Sequence, residues 1–155
     1  MAGHVAGVVA VHVAGHVARL HARRLAMRRD DLGVVLNGGL ETKAQITTEI
    51  PGFAGVMLGR AAYRTPYVLT EIANDVFGAT PPSRRQVAEA MADYADRMIA
   101  NHVPLHSITR HMLGLFAGRP GARIWRRVLS EHGHHQDAGL EVLDLALSQM
   151  QARAA

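Results

Sequence analysis

Apolar residues run along this chain in two patterns, and each predicts a different kind of element. Two runs are short and continuous. Val34-Val35-Leu36 stops at Asn37-Gly38-Gly39, and residues 53–58 (FAGVML) stop at Gly59-Arg60. Runs that are apolar throughout, rather than alternating, predict strands buried on both faces. Between and after them the spacing is helical. Residues 42–50 read as a short polar helix ended by Pro51-Gly52, and residues 66–77 as a helix with Val68, Leu69, Ile72 and Val76 on one side and Gly78 as its stop. Upstream, residues 20–29 (LHARRLAMRR) read as a basic helix anchored by Leu20, Leu25 and Met27 and closed by Asp30-Asp31 and Gly33. Strand, glycine turn and helix thus repeat twice between residues 34 and 78. The two turns lie about 20 residues apart, a separation that suits adjacent parallel strands joined by a right-handed crossover. Two such strands cannot cover their own faces, so the pattern predicts a piece of a larger fold.

The second half changes character. Residues 79–82 form a linker. Ser83 with Gln86 makes a capping box, and Val87, Met91, Tyr94 and Met98 follow at helical spacing until residues 101–104 break the pattern. A helix is predicted over 105–117 with Ile108, Met112, Leu115 and Phe116 as its apolar face, then a turn at Gly118-Arg119-Pro120-Gly121. Further helices are predicted over 122–131 and 139–150, with a loop over 132–138. This half reads as a small all-helical module.

Composition narrows the picture. At 155 residues the chain is too short for a complete (β/α)8 barrel, while 48% hydrophobic and 19% charged residues suffice for a buried core. There is no cysteine, which excludes a disulfide framework, thiolate metal sites and a cysteine acid or nucleophile carried by these residues. The net charge is +4, and Lys43 is the one lysine among 17 basic residues. That balance favours a polyanionic partner. No window has the roughly 18 uninterrupted apolar residues of a membrane span. Residues 1–19 form a low-complexity Ala/Val/Gly lead in which His4, His12 and His16 interrupt any signal-like run. The first 29 residues carry five arginines and no acid, as transit peptides do, but Gly3, Gly7 and Gly15 weaken the helix such a peptide needs. His12 and His16 stand four apart, the spacing of a metal pair on a helix; incidental histidines in a repetitive lead are the simpler reading.

Three groups of residues carry candidate chemistry. The first is Asn37, Gly38 and Gly39 with Gly59 and Arg60. Glycines at the carboxyl ends of parallel strands let backbone N–H groups approach a ligand, a following helix directs its positive end there, and Arg60 adds a bidentate donor, all of which suits a phosphate. Asn-Gly alone fits a hairpin equally well; its recurrence as a glycine turn 20 residues on favours phosphate. The second is a stretch from Arg97 to Ser130 with six arginines and no carboxylate. Arg123, Arg126 and Arg127 fall on one side of a helix and Trp125 on another, a pattern for a groove tracking a nucleic-acid backbone or for a solvated basic face; Trp125 itself reads as core rather than as a base-stacking platform. The third is His132-Gly133-His134-His135, whose lack of further ligands at metal spacing argues against a metal site. No catalytic triad or carboxylate pair stands out.

Taken together, VVLNGGLET (34–42), GVMLGRAAYRTPYVL (55–69), ITRHMLGLFAGRPGARIWRRVLSEHGH (108–134) and EVLDLAL (141–147) resemble the C-terminal half of tRNA-dihydrouridine synthases, specifically the A-type bacterial subfamily. The resemblance implies an α/β plus all-α fold: the last two βα units of a (β/α)8 TIM barrel over residues 20–78, followed by a helical tRNA-binding domain over 79–155. It implies a cytoplasmic, FMN-dependent oxidoreductase in which NADPH reduces the flavin, the flavin passes a hydride to a uridine of the tRNA D-loop, and a cysteine donates the proton. It further implies that Asn37, Gly38, Gly39, Gly59 and Arg60 match the FMN-phosphate loops and that Arg123 and Arg126 match tRNA-orienting positions. The first six strands are absent from these residues, with the family's cysteine and flavin-ring contacts, so no catalytic residue is expected here. The N-terminal half of the barrel is then an expected partner, and strand 34–36 is expected to have an open edge. A non-catalytic RNA-binding module built on residues 83–150 is the alternative.

Overall fold

Leu36 and Ile46 are both fully buried, and around them the first part of the chain is built. The computed structural model describes residues 7–12, 16–29 and 31–152. Strands β1 (Gly7–His12), β2 (Leu32–Asn37) and β3 (Gly55–Met57) form one parallel sheet in the order β1-β2-β3. Gly7 lies opposite Leu32 and His12 opposite Asn37; Val35 lies opposite Gly55 and Asn37 opposite Met57. Helix α1 (His16–Arg28) connects β1 to β2, and α2 (Lys43–Glu49) connects β2 to β3. Val34 and Leu36 are buried together with Ala22 of α1, Leu40 and Ile46 of α2, whereas Val35 on the alternate face is half-buried. Burial on both faces, as expected for β2, is therefore met on one face alone.

The lead contributes structure that its composition concealed. Residues 8–11 are Val-Val-Ala-Val, a β-branched run that pairs along the whole of β2. The edge of β2 expected to be open is thus covered, and β1-α1-β2 is itself a strand–helix–strand unit. Helix α1 begins at His16, while His12 ends β1, so the two histidines do not share a helix. His4, Gly3 and Gly15 lie outside the described residues.

Two compact units divide the chain, residues 1–62 and 63–155, with the division inside the short helix α3 (Arg60–Arg64). The sequence-based division at 78/79 groups α4 (Tyr67–Phe77) with the strands; by packing it falls within the second unit. That unit continues through α5 (Arg84–Ile99), α6 (Leu105–Thr109), α7 (Ala122–His132) and α8 (Glu141–Ala152). Ser83 and Gln86 form the expected capping box on α5, each side chain accepting from the other's backbone N–H. The buried line of α5 is Ala88 and Ala95, with Met91 and Met98 beside it and Tyr94 exposed. On α4, Val68 is buried but Leu69, Val76 and Phe77 are exposed, so the apolar side read from spacing is covered at one end only. Arg84 joins α5 to α4: its guanidinium lies over the Tyr67 ring at 3.9 Å, pairs with Glu71 at 3.5 Å and donates to the Leu115 carbonyl.

The helix predicted over 105–117 is shorter. α6 stops at Thr109 and the chain proceeds by turns in which each N–H reaches three residues back: His111 to Ile108, Met112 to Thr109, Leu115 to Met112 and Ala117 to Gly114. Met112, Leu115 and Phe116 are buried nonetheless. Tighter winding has a local reason. A Cβ on Gly114 would overlap the Arg64 carbonyl, so the backbone packs closely there. The Met112 carbonyl, which accepts from the Leu115 N–H, also accepts the indole N–H of Trp125 at 2.9 Å.

Candidate functional site

At the carboxyl end of the sheet, β2 finishes at Asn37 directly across from Met57 of β3. Both strands run the same way, so the chain leaves both at the same edge, through Gly38-Gly39 from one strand and Leu58-Gly59-Arg60 from the other. A hairpin at Asn37-Gly38 is therefore excluded. Gly38 and Gly39 have φ of 114° and 67°, values that side chains with a Cβ rarely adopt. Gly39, Gly59 and Arg60 are exposed, and nothing lies within 4 Å of where a Cβ on Gly59 would stand. No carboxylate pairs with Arg60 among the described residues.

The helix expected to aim its positive end at this turn is otherwise engaged. α2 begins at Lys43, and the N–H groups of Glu41 and Thr42 donate to the side-chain oxygen of Gln45, whose own N–H donates to the Thr42 hydroxyl. This capping box satisfies donors that a phosphate would otherwise take. α3, in contrast, begins immediately after Gly59.

Sequence reasoning missed Arg19. From α1 its guanidinium donates to the Gly39 carbonyl at 3.3 Å and to Glu49 at 3.3 Å, while Arg23 donates to the other Glu49 oxygen at 2.9 Å. The Arg23 hydrogen bond, opposed by burial and reinforced by the charges of Arg23 and Arg19, holds the Glu49 carboxyl below its ordinary range. One turn of the candidate site is thereby tied to two helices by contacts between residues 20 to 30 apart in sequence, which no local pattern encodes.

The second constellation lies on α7, a strongly amphipathic helix. Trp125, Val128 and Leu129 are buried, and Trp125 packs its ring edge-on against Phe116 with centroids 4.8 Å apart. Trp125 is thus core, and Arg123, Arg126 and Arg127 stand exposed on the opposite side. Gly121 at the start of α7 has φ of 79°, and a Cβ there would press on Met150. With Arg119 the arginines of α7 line a groove of about 580 Å³. Arg127 reaches Glu131 only at 3.9 Å, both side chains being exposed; Arg119, Arg123 and Arg126 have no carboxylate partner among the described residues. The local field is accordingly positive.

The histidine run gives a different geometry. The rings of His132 and His135 stack 6.1 Å apart and His134 lies 5.2 Å from His106. Among the described residues no group of three or more histidines and carboxylates is placed to hold a metal ion, and no helix is long and apolar enough to cross a membrane.

The tRNA-dihydrouridine(20/20a) synthase of Vibrio vulnificus is 39% identical over 134 residues, and that of Vibrio cholerae 40% over 134 residues; each alignment covers 84% of this chain and 41% of the relative. The tRNA-dihydrouridine(20/20a) synthase of Shewanella oneidensis is 43% identical over 122 residues, 77% of this chain and 36% of the relative. The chain thus spans about two fifths of the length of these relatives. The family model described as dihydrouridine synthase (Dus) matches residues 23–152, most of the chain, including the glycine turns and α7 alike. The chain belongs to the dihydrouridine synthase family.

Proposed function

We propose that these residues are the C-terminal part of a tRNA-dihydrouridine synthase, comprising the closing strand–helix units of its barrel and a helical domain that grips tRNA. The observation that carries this reading is the arginine face of α7, where Arg123 and Arg126 have no carboxylate partner among the described residues and Trp125 is buried beneath them, in a chain of this family. The barrel reading is supported by the parallel order of β1, β2 and β3 and by β3, which is three residues long, pairs on one side only among the described residues and leaves Met57 half exposed. Further strands, from the N-terminal half of the barrel, are the natural partners of that edge.

The glycine turns fit an FMN phosphate. Gly38, Gly39 and Gly59 present backbone N–H groups without Cβ hindrance, Asn37 borders them, and Arg60 supplies an uncompensated guanidinium. When bound, the flavin supplies hydride transfer from NADPH to a uridine of the tRNA D-loop. The part of these residues is to hold the phosphate and, through Arg123 and Arg126, to orient tRNA. No cysteine is present to donate a proton. We assign the work to the cytoplasm, with tRNA.

The test is tRNA binding as a function of salt. Neutralising two phosphate contacts with Arg123→Ala/Arg126→Ala should flatten the slope of log K against log[salt] by about 1.4–1.8 and weaken binding at every salt concentration. Equal affinity and slope for the double variant and the parent would overturn the tRNA-gripping role. A second reading, a non-catalytic RNA-binding module, is favoured by one fact: the arginine groove is complete within the compact unit of residues 63–155. Phosphate or FMN binding that depends on Arg60 would decide against it.

A further inference from the structure

Beside the groove on α7 lies another, of about 540 Å³, which shares Gly118, Ala122 and Arg126 with it. Its remaining walls come from the end of α3, with Tyr63 and Arg64, and from the turns after α6, with Arg110 and Leu113. No Asp or Glu lines either groove. Arg64 and Arg110 are exposed and have no carboxylate partner among the described residues. Two grooves joined at Arg126 thus make one continuous cationic track.

Tyr63 is the feature the track does not explain. The residue is 60% exposed despite its large aromatic side chain. One perpendicular neighbour, His111, meets it at 5.6 Å, and the Arg110 Nε–H donates to His111 Nε2 at 3.0 Å, so the ring is braced rather than loose. A braced aromatic ring with a free face, flanked by guanidinium groups that no carboxylate neutralises, matches what proteins offer to an unstacked base between two phosphates. We infer that Tyr63, Arg64 and Arg110 form a stacking site for one unpaired RNA base, with Arg126 linking it to the phosphate track along α7. This site rests on the tRNA-gripping reading and extends it from backbone contact to recognition of a single-stranded feature. A tyrosine face accepts any base, so the site senses an unpaired nucleotide rather than a sequence.

The full 155-residue chain is titrated with labelled tRNA and, separately, with a blunt RNA duplex, far-UV circular dichroism verifying that each variant is folded. Tyr63→Ala should weaken tRNA binding about 5- to 150-fold with the salt slope unchanged, while Tyr63→Phe stays within about twofold. Duplex binding should be unaffected by either change, because a duplex has no unstacked base to offer. Arg64→Ala/Arg110→Ala should flatten the salt slope by about 1.4. Full tRNA affinity in Tyr63→Ala, an equal loss on duplex and tRNA, or no rescue by phenylalanine would each overturn the stacking site. Full affinity in Tyr63→Ala beside weakened binding in Arg123→Ala/Arg126→Ala overturns this site while sparing the tRNA-gripping role. Absence of tRNA binding by the parent chain overturns both.

Discussion

Glu49 is gripped by two arginines from one helix, and its protonation state decides whether that grip exists. Its folded pKa lies below the ordinary value of 4.5, with the Arg23 hydrogen bond as the largest cause. A carboxyl with a lowered folded pKa contributes stability that is fully present above the unfolded value and is lost as pH falls through the folded one. Both arginines are partly solvated, so the contribution is that of a partly exposed pair, about 0.5–1 kcal/mol. Glu49→Gln should therefore melt below the parent at neutral pH, and the gap should close as pH is lowered through and below the ordinary carboxylate range. A gap that stays constant with pH would show that the ion pairs do not carry the effect. Arg19 extends this network to the Gly39 carbonyl. None of it was legible in the sequence, because Arg19 sat at the end of what reads as featureless lead and its partners lie far along the chain. The glycines themselves were legible, since Gly38 and Gly39 interrupt an apolar run at the point where only a positive φ turns the strand.

Elements were legible where one signal dominated. Ser83 and Gln86 fix the start of α5, and a cap of this kind is worth about 1 kcal/mol. Spacing on α7 separated Trp125 from the arginines correctly, because a helix of that amphipathicity has only one side to bury. The segment after α6 misled for a physical reason: turns with three-residue spacing bury Met112, Leu115 and Phe116 as an α-helix would, and apolar periodicity alone does not distinguish the two. Gly114 is the residue that reveals the difference. Gly114→Ala should destabilise the chain by about 1–3 kcal/mol, since the new methyl meets the Arg64 backbone rather than a side chain able to move. Gly118→Ala is the matched control: its φ of 75° makes it strained, but no atom lies near the added methyl, so its cost is that of backbone strain alone, about 1 kcal/mol. Equal midpoints for Gly114→Ala and the parent in thermal melts would contradict the close approach. β1 is hard to read because Val-Val-Ala-Val is at once part of a repetitive Ala/Val/Gly lead and β-branched strand material.

For the whole molecule, the repeated order of strand, glycine turn and helix was enough to announce parallel strands and an incomplete sheet, and the family match agrees with that. Burial on both faces of the sheet did not follow: Val34 and Leu36 are buried, while Val35 on the alternate face is half-buried. On the proposed reading the chain alone should purify without a flavin spectrum and should not reduce uridine with NADPH, since it holds no cysteine and spans about two fifths of the length of its relatives. A yellow preparation with NADPH-dependent tRNA reduction would contradict that expectation.

Trp125 is the one tryptophan of the sequence, fully buried in the helical unit and hydrogen-bonded to the turn after α6. Intrinsic fluorescence excited at the red edge is consequently a private channel for residues 63–155 and is silent about the strands. Denaturation followed at once by that emission and by total ellipticity will separate the two units into two transitions wherever they come apart independently.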